Sequence, residues 1–172
     1  MTRAATSRSS TRAATRARPR SPRTSTSTLA DVLDVRPAKN DEEVQAALDL
    51  RERVFCGEQG VSVEADRDGR DPESTHIVAV AERRVIGTCR LLLRGNVARL
   101  GRLAVEPDLR GQGVAGAILE EADRVAVRQG ADRIALHAQT YAARLYRENG
   151  YAERGARFTE EGIEHVAMEK LL

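Results

Sequence analysis

Residues 102–119 read RLAVEPDLRGQGVAGAIL, and three kinds of local structure follow one another in them. Leu103-Ala104-Val105 is an apolar, strand-like run. Pro107 and Asp108 mark a turn, and Val114 to Gln129 shows helical periodicity that Gly130 closes as a left-handed cap. A strand that runs through a glycine loop into a helix N-terminus suits a phosphate. The first helical N–H groups have no partner within the helix and carry the positive end of its dipole. Gly111 and Gly113 put no Cβ between a pyrophosphate and the backbone, and Arg110 adds a fixed positive charge. The loop is set apart from the dinucleotide fingerprint and from the P-loop, whose Gly-Lys-Ser/Thr is absent. An ordinary strand–turn–helix connection carries similar glycines, so the rest of the chain has to decide.

Working outward, a first strand is expected over about Val32 to Arg36. Asn40 with Glu43 three positions on has the form of a capping box, and Val44, Ala47, Leu48, Arg51 and Val54 then share a helical face. Glu64 to Ser74 reads as a polar loop. Strand-like runs follow at His76–Ala81 and Val85–Leu93, and another at Ala98–Val105 after a turn near Gly95-Asn96. Beyond the Val114–Gln129 helix come a strand at Ile134–His137 and a helix at Thr140–Asn149 that Gly150 stops. Strands near Tyr151–Arg154 and Ile163–Lys170, linked by Gly155 to Gly162, finish the chain. The order β-α-β-β-β-α-β-α-β-β implies a mixed α/β fold: a largely antiparallel central sheet with helices on both faces.

Arg110 to Ala115, R-x-x-G-x-A, resembles the Q/R-x-x-G-x-G/A acyl-CoA pyrophosphate signature of the GNAT superfamily of N-acetyltransferases. One helix and one strand later, Gln139 to Tyr151 resembles that superfamily's N-x-x-A-x-x-x-Y-x-x-x-G-F/Y motif, with Gln139 in place of asparagine and Tyr146 at the tyrosine. Arg51-Glu52-Arg53-Val54-Phe55 and Glu58-Gln59-Gly60-Val61 resemble the opening of its small bacterial ElaA/YjcF-type branch. His76, Gly87–Leu91, His137-Ala138-Gln139 and Phe158–His165 follow the same branch, in which glutamine at position 139 is the expected residue and proline is usual where Glu164 stands. The resemblance implies the acyl-CoA N-acyltransferase fold over residues 31–172, with acetyl-CoA as co-substrate and an amine as acceptor.

It also implies roles. Leu103, Ala104 and Val105 would pair with the pantetheine arm like an added strand, and Arg110, Gly111, Gln112, Gly113, Val114 and Ala115 would hold the pyrophosphate, with Gln139 as a further coenzyme contact. Tyr146 would protonate the departing thiolate. Acetyl transfer to an amine also needs a base, since an alkyl ammonium has an ordinary pKa of about 10.4. Some relatives carry a glutamate for this on the fourth strand, but alignment on Arg110 puts Arg99 there. The remaining candidates are Glu58 first and His165 next, then His76, with Glu106 more remote. Each has a plain alternative as a solvated carboxylate or a satisfied structural histidine. No His/Cys/Asp cluster has metal-ligand spacing, so no metal is expected.

At 172 residues the chain is one domain's worth, and no apolar run approaches a membrane span. The net charge of +2 conceals two unlike parts. Residues 1–30 hold seven arginines and no acid, which leaves 21 basic against 26 acidic residues in the rest. That Ser/Thr/Arg-rich tail lacks the apolar side chains needed to offset the entropy of ordering and is expected to be disordered. The mildly acidic body and its few aromatics argue against a nucleic-acid partner. Cys56 and Cys89, without disulfide or zinc spacing, fit free thiols of a cytoplasmic protein. Two further readings stay open: an acyl-homoserine-lactone synthase-like acyltransferase, which loosely shares the Arg51–Phe55 opening, and a non-catalytic acyl-CoA-binding domain. A homodimer stays open as well.

Overall fold

The computed structural model describes residues 29–172. The tail expected over residues 1–30 falls outside them, but for its last two residues. A short helix α1 (Leu29–Val32) leads into strand β1 (Asp34–Pro37) and helix α2 (Asp41–Arg51). Asn40 caps α2 by accepting the Glu43 N–H at 2.9 Å, while the Glu43 carboxylate accepts the Lys39 N–H at 2.8 Å. This is the expected capping box with its return bond moved one residue upstream. The helix does not stop at Arg51 but widens into a π-helical stretch, Glu52–Glu58, a geometry that helical periodicity cannot reveal.

Helix α3 (Val63–Asp66) and a 3₁₀ turn (Asp71–Glu73) interrupt the loop expected over 64–74. Strands β2 (Thr75–Ala81), β3 (Arg84–Arg94) and β4 (Val97–Val105) then form an antiparallel meander. Helix α4 (Val114–Arg128), strand β5 (Arg133–Gln139), helix α5 (Ala143–Glu148), strand β6 (Ala152–Glu160) and strand β7 (Ile163–Leu171) complete the chain. Gly130 and Gly150 both end their helices with positive φ, +85° and +89°. The link expected over Gly155–Gly162 is mostly strand instead. β6 runs through a bulge between Arg154 and Phe158 to a tight turn at Glu161-Gly162.

The seven strands lie in the order β1-β2-β3-β4-β5-β7-β6, and all pairs are antiparallel except β4 with β5. This is the mixed, largely antiparallel sheet expected. Helix α4 lays Ile118, Leu119, Ala122 and Val125 on one face, among Ile77, Leu91, Leu100 and Ile134. Each leucine, isoleucine or valine among them contributes about 1.5–3 kcal/mol when removed from water. Helix α2, through Leu50, and the π-helical stretch after it, through Val54, cover part of the other face against Ala104. Gly87 permits the close approach of α4: a Cβ there would meet Ile118 Cδ1 at 2.8 Å and Val114 Cγ1 at 3.0 Å.

Two features of β4 set up the site. It pairs with β5 only over Val97–Arg99 opposite Arg133–Ala135, so beyond Arg99 the strands part. On its other side Gly101 faces Arg90 but Ala104 faces Thr88, so one extra residue bulges out near Arg102. Arg102 has φ +56°, a left-handed conformation costing about 1–2 kcal/mol in a residue with a Cβ. Its guanidinium offsets this by donating to the Ala65 and Asp66 carbonyls at 2.6 and 3.1 Å and by pairing with the Asp66 carboxylate at 3.0 Å.

Candidate active site

The parted strands open into a cavity of about 1250 Å³. Of the fifteen residues singled out from the sequence as coenzyme contacts or catalytic candidates, eleven line it: Leu103, Ala104, Val105, Arg110, Gly111, Gly113, Val114, Ala115, Gln139, Tyr146 and His165. Gln112 does not; its amide turns back to the Asp108 carbonyl at 3.1 Å. Glu58 does not line it either, and reaches the site only through Arg110.

At one end lies the start of α4. Gly111 and Gly113 have φ of +75° and +86°, and nothing lies within 4 Å of where a Cβ would stand on either. Gly113 supplies no side-chain cap, and the first intrahelical bond is from the Ala117 N–H to the Gly113 carbonyl. The N–H groups of Val114 to Gly116 are thus open to an anion, in a cradle whose geometry admits a phosphate. Gly111, Gly113 and Gly116 do have the G-x-G-x-x-G spacing of the dinucleotide fingerprint, which corrects the distinction drawn from the sequence. The difference lies in context: the sheet is mainly antiparallel, and the strand after α4 ends in Gln139 rather than in an acid that would take a ribose.

Arg110 donates through both terminal nitrogens to the two Glu58 oxygens at 2.9 Å, and its Nε–H donates to the Val105 carbonyl at 3.1 Å. The arginine holds the Glu58 carboxyl below the usual carboxylate range, chiefly through these hydrogen bonds. Next to Glu58, the Gln59 side chain enters a closed ring of hydrogen bonds. Gln139 Nε2 donates to Gln59 Oε1 at 2.8 Å, Gln59 Nε2 donates to Tyr141 Oη at 3.1 Å, and Tyr141 donates to Gln139 Oε1. Residues 58 and 59, at the end of the π-helical stretch, therefore touch both sides of the opening. Gln59 and Tyr141 stand within quoted motifs but received no role, because the contacts of Gln59 with Tyr141 and Gln139 span some 80 residues of chain.

Tyr146 is buried in the wall, edge-on to Tyr151 with ring centroids 5.7 Å apart. Burial pushes its phenol well above the ordinary value, so the hydroxyl keeps its proton at neutral pH. His165 lies opposite Gln139 in the β5–β7 ladder. Its Nδ1 is 2.8 Å from the Ile163 carbonyl, which can only accept, so Nδ1 carries the hydrogen and Nε2 is the bare nitrogen of the neutral ring. Phe158 stacks on His165 and meets His137 edge-on, and Glu160 approaches His137 Nδ1 at 3.2 Å. His137 and Glu160, quoted in the sequence only for their place in motifs, join His165 on the β5–β7–β6 side of the cavity.

Beneath the bulge is an ionic network. Arg51, fully buried, donates to Asp66 at 3.0 Å and to Asp71 at 2.6 Å, while Arg90 holds Asp68 at 2.6 and 2.7 Å. Burial pushes Asp71 toward protonation, but Arg51 and Arg90 outweigh it and keep the carboxyl below its usual range. The Asp71 carbonyl accepts from His76 Nε2 at 3.2 Å. That bond and its burial make His76 structural rather than a base for the cleft. Glu106, the remote candidate, is tied to Arg53 at 2.7 Å. Among the described residues no group of three His, Cys, Asp or Glu side chains is placed to hold a metal, and no helix is long and apolar enough to cross a membrane.

A family model described as an acetyltransferase (GNAT) domain matches residues 35–172. The chain is 34% identical over 134 residues to the uncharacterised N-acetyltransferase YjcF of Bacillus subtilis, covering 77% of this chain and 96% of that one. The fold is similar to that of Escherichia coli ElaA, with a TM-score of 0.72 and 22% identity over 80% of this chain and 99% of ElaA. It is likewise similar to a GNAT family acetyltransferase from Elizabethkingia anophelis solved with acetyl-CoA bound. There the TM-score is 0.67 at 16% identity, over 83% of this chain and 99% of that one.

Proposed function

Because this chain belongs to the GNAT acetyltransferase family, we propose that it transfers an acetyl group from acetyl-CoA to a primary amine of a small molecule or protein. The observation that carries this reading is the parting of β4 from β5 beyond the Arg99–Ala135 rung, in a cleft that ends on the α4 N-terminus. A fold neighbour bound to acetyl-CoA supports the choice of donor. A cytoplasmic location belongs to the same reading and is consistent with the free thiols Cys56 and Cys89.

The chemistry follows from the groups in the cleft. The pyrophosphate goes to Gly111–Ala115 and Arg110, and the pantetheine arm to backbone groups of Leu103–Val105 that β5 leaves unpaired. An N–H of that segment meets the thioester oxygen as it gains charge. His165 Nε2 takes a proton from the amine. The amine nitrogen bonds to the thioester carbon, the C–S bond breaks, and the sulfur leaves as a thiol. A buried phenol is a weaker acid than that thiol, so the Tyr146 hydrogen bond to sulfur matters most while charge develops there. The nitrogen sheds two protons in all: one from the ammonium goes to His165, and the second, lost as the amide forms, ends on the sulfur. Glu58, ranked first from the sequence, is the poorer base because Arg110 lowers its basicity.

The test uses the full chain with acetyl-CoA and a panel of amines, following thiol release. Tyr146→Phe should bind acetyl-CoA as the parent does while turnover falls about 10- to 100-fold. Unchanged turnover removes the role given to Tyr146, and an absence of acetylated product with every amine removes the reading.

A further inference from the structure

We infer that the acceptor carries an anionic group, a carboxylate or a phosphate ester, which Arg99 and Arg70 receive at the end of the cleft remote from Arg110. The inference rests on the acyl-transfer reading for the identity of the amine but not for the anion site itself.

The argument starts from the β3–β4 ladder. Arg90 faces Gly101, Leu92 faces Arg99, and Arg94 faces Val97. Side chains alternate along a strand, so Arg90, Leu92, Arg94 and Arg99 share one face of the sheet. Ala98 and Leu100 of β4 are buried in the core on the other. The segment 68–73 runs along this face and is pinned at both ends. Asp68 holds Arg90 at 2.6 and 2.7 Å, and Glu73 holds Arg94 at 2.5 Å. Arg70 lies between those anchors in the segment and lines the same cavity as Leu92 and Arg99.

Six arginines line the cavity, and four of them are matched by carboxylates: Arg90 by Asp68, Arg94 by Glu73, Arg102 by Asp66 and Arg110 by Glu58. Arg70 and Arg99 are exposed, and among the described residues neither has a carboxylate within salt-bridge distance. Two unmatched guanidiniums lining one cavity repel a plain cationic amine and attract an anion, carboxylate or phosphate, which each can grip through two parallel N–H groups. The neighbouring strands β5 and β7 carry groups that can take a proton from an amine, His137 and His165, and β6 adds the carboxylate of Glu160. An amine and an anion in one molecule fit both ends of this arrangement.

The experiment compares matched amines with the full chain: L-lysine with cadaverine and β-alanine with propylamine for carboxylates, and O-phosphoethanolamine with ethanolamine for phosphate. Each is measured by calorimetric binding to the coenzyme A-loaded protein and by kcat/KM with acetyl-CoA. The anion-bearing member of at least one class should be favoured about tenfold or more. Arg99→Gln with Arg70→Gln should abolish that preference by raising KM for the anion-bearing member, while the plain amine, no longer repelled, binds at least as well as it does to the parent. The favoured pair tells carboxylate from phosphate. Equal binding within every pair, or a preference that survives both substitutions, overturns the inference. Acetylation without preference leaves the acyl-transfer reading standing alone. Preferential binding lost in the double variant, but without acetylation, supports the anion site and sinks the acyl-transfer reading.

Discussion

Glu58 and Arg110 meet through two hydrogen bonds of 2.9 Å, so a carboxylate sits against the arginine proposed to receive a pyrophosphate. The two side chains are 37% and 45% exposed, which limits the pair to about 1 kcal/mol and makes it sensitive to salt. A coenzyme entering the cradle has to replace Glu58 on Arg110. Glu58→Gln should therefore tighten acetyl-CoA binding about two- to fivefold at low ionic strength, the difference shrinking as salt is added. Weaker binding in this variant would mean that Glu58 helps to hold the coenzyme instead of competing with it.

Arg51 tests the ionic network under the β4 bulge. Arg51→Met leaves Asp66 buried with one cation fewer, and loss of one partner of a buried pair costs about 3–5 kcal/mol. The midpoint of urea unfolding should fall accordingly. Because Ala65 and Asp66 also anchor Arg102, the variant should lose activity at temperatures where it is still folded. Parent-like stability would show that Arg102 alone suffices to neutralise Asp66.

Acid should act on the fold in two stages. Burial depresses the His76 pKa below its ordinary value of about 6.5, and its Nδ1 has no hydrogen-bond partner. Below that pH the unfolded chain takes up a proton that the folded chain resists, so stability falls as pH falls. Arg90 holds the Asp68 carboxyl well below its ordinary range, and the arginine contacts around Asp71 outweigh burial to lower that one too. The stability these two contribute is present above about pH 3.9 and is lost as pH drops below it. Urea midpoints measured from pH 8 downward should decline first below about 6.5. His76→Gln should remove that upper stage and leave the lower one; an upper stage that persists assigns it to another group.

Gly87 and Gly113 separate two ways of disturbing the α4 N-terminus. Gly87→Ala drives a methyl into Ile118 and Val114 and should cost about 1–3 kcal/mol as α4 shifts off the sheet. Gly113→Ala meets no neighbour but is strained at φ +86°, at about 1–2 kcal/mol. Thermal unfolding should register both. Acetyl-CoA affinity should fall in both as well, and parent-like affinity in both would dissociate the helix start from the coenzyme site.

The sequence was most legible where structure is local. The glycines that end α4 and α5, the strand–loop–helix from Leu103 to Val114 and the Asn40 cap all depend on neighbours a few residues away. What it hid depends on distant partners or on geometry without a periodic signature. The π-helical stretch leaves no pattern of its own in the residues, and Arg51 falls on an apolar helical face because aspartates 15 and 20 positions later neutralise it. The length of β6 was concealed because this edge strand is almost wholly exposed and carries a glycine and a bulge. Eleven cavity-lining residues were given roles through motifs, whereas Gln59, Tyr141 and Glu160, quoted without a role, and Arg70, not quoted at all, enter the site only once the strands are placed side by side.

Calorimetric titration of the full chain with acetyl-CoA, with a long-chain acyl-CoA titrated alongside, tests most directly whether the cleft between β4 and β5 is a coenzyme site. One site per chain with micromolar affinity for acetyl-CoA is expected, weakened by Gly113→Ala and by Arg110→Gln. No binding of acetyl-CoA would contradict it, and a marked preference for the long chain would replace the acetyl donor with a longer acyl group.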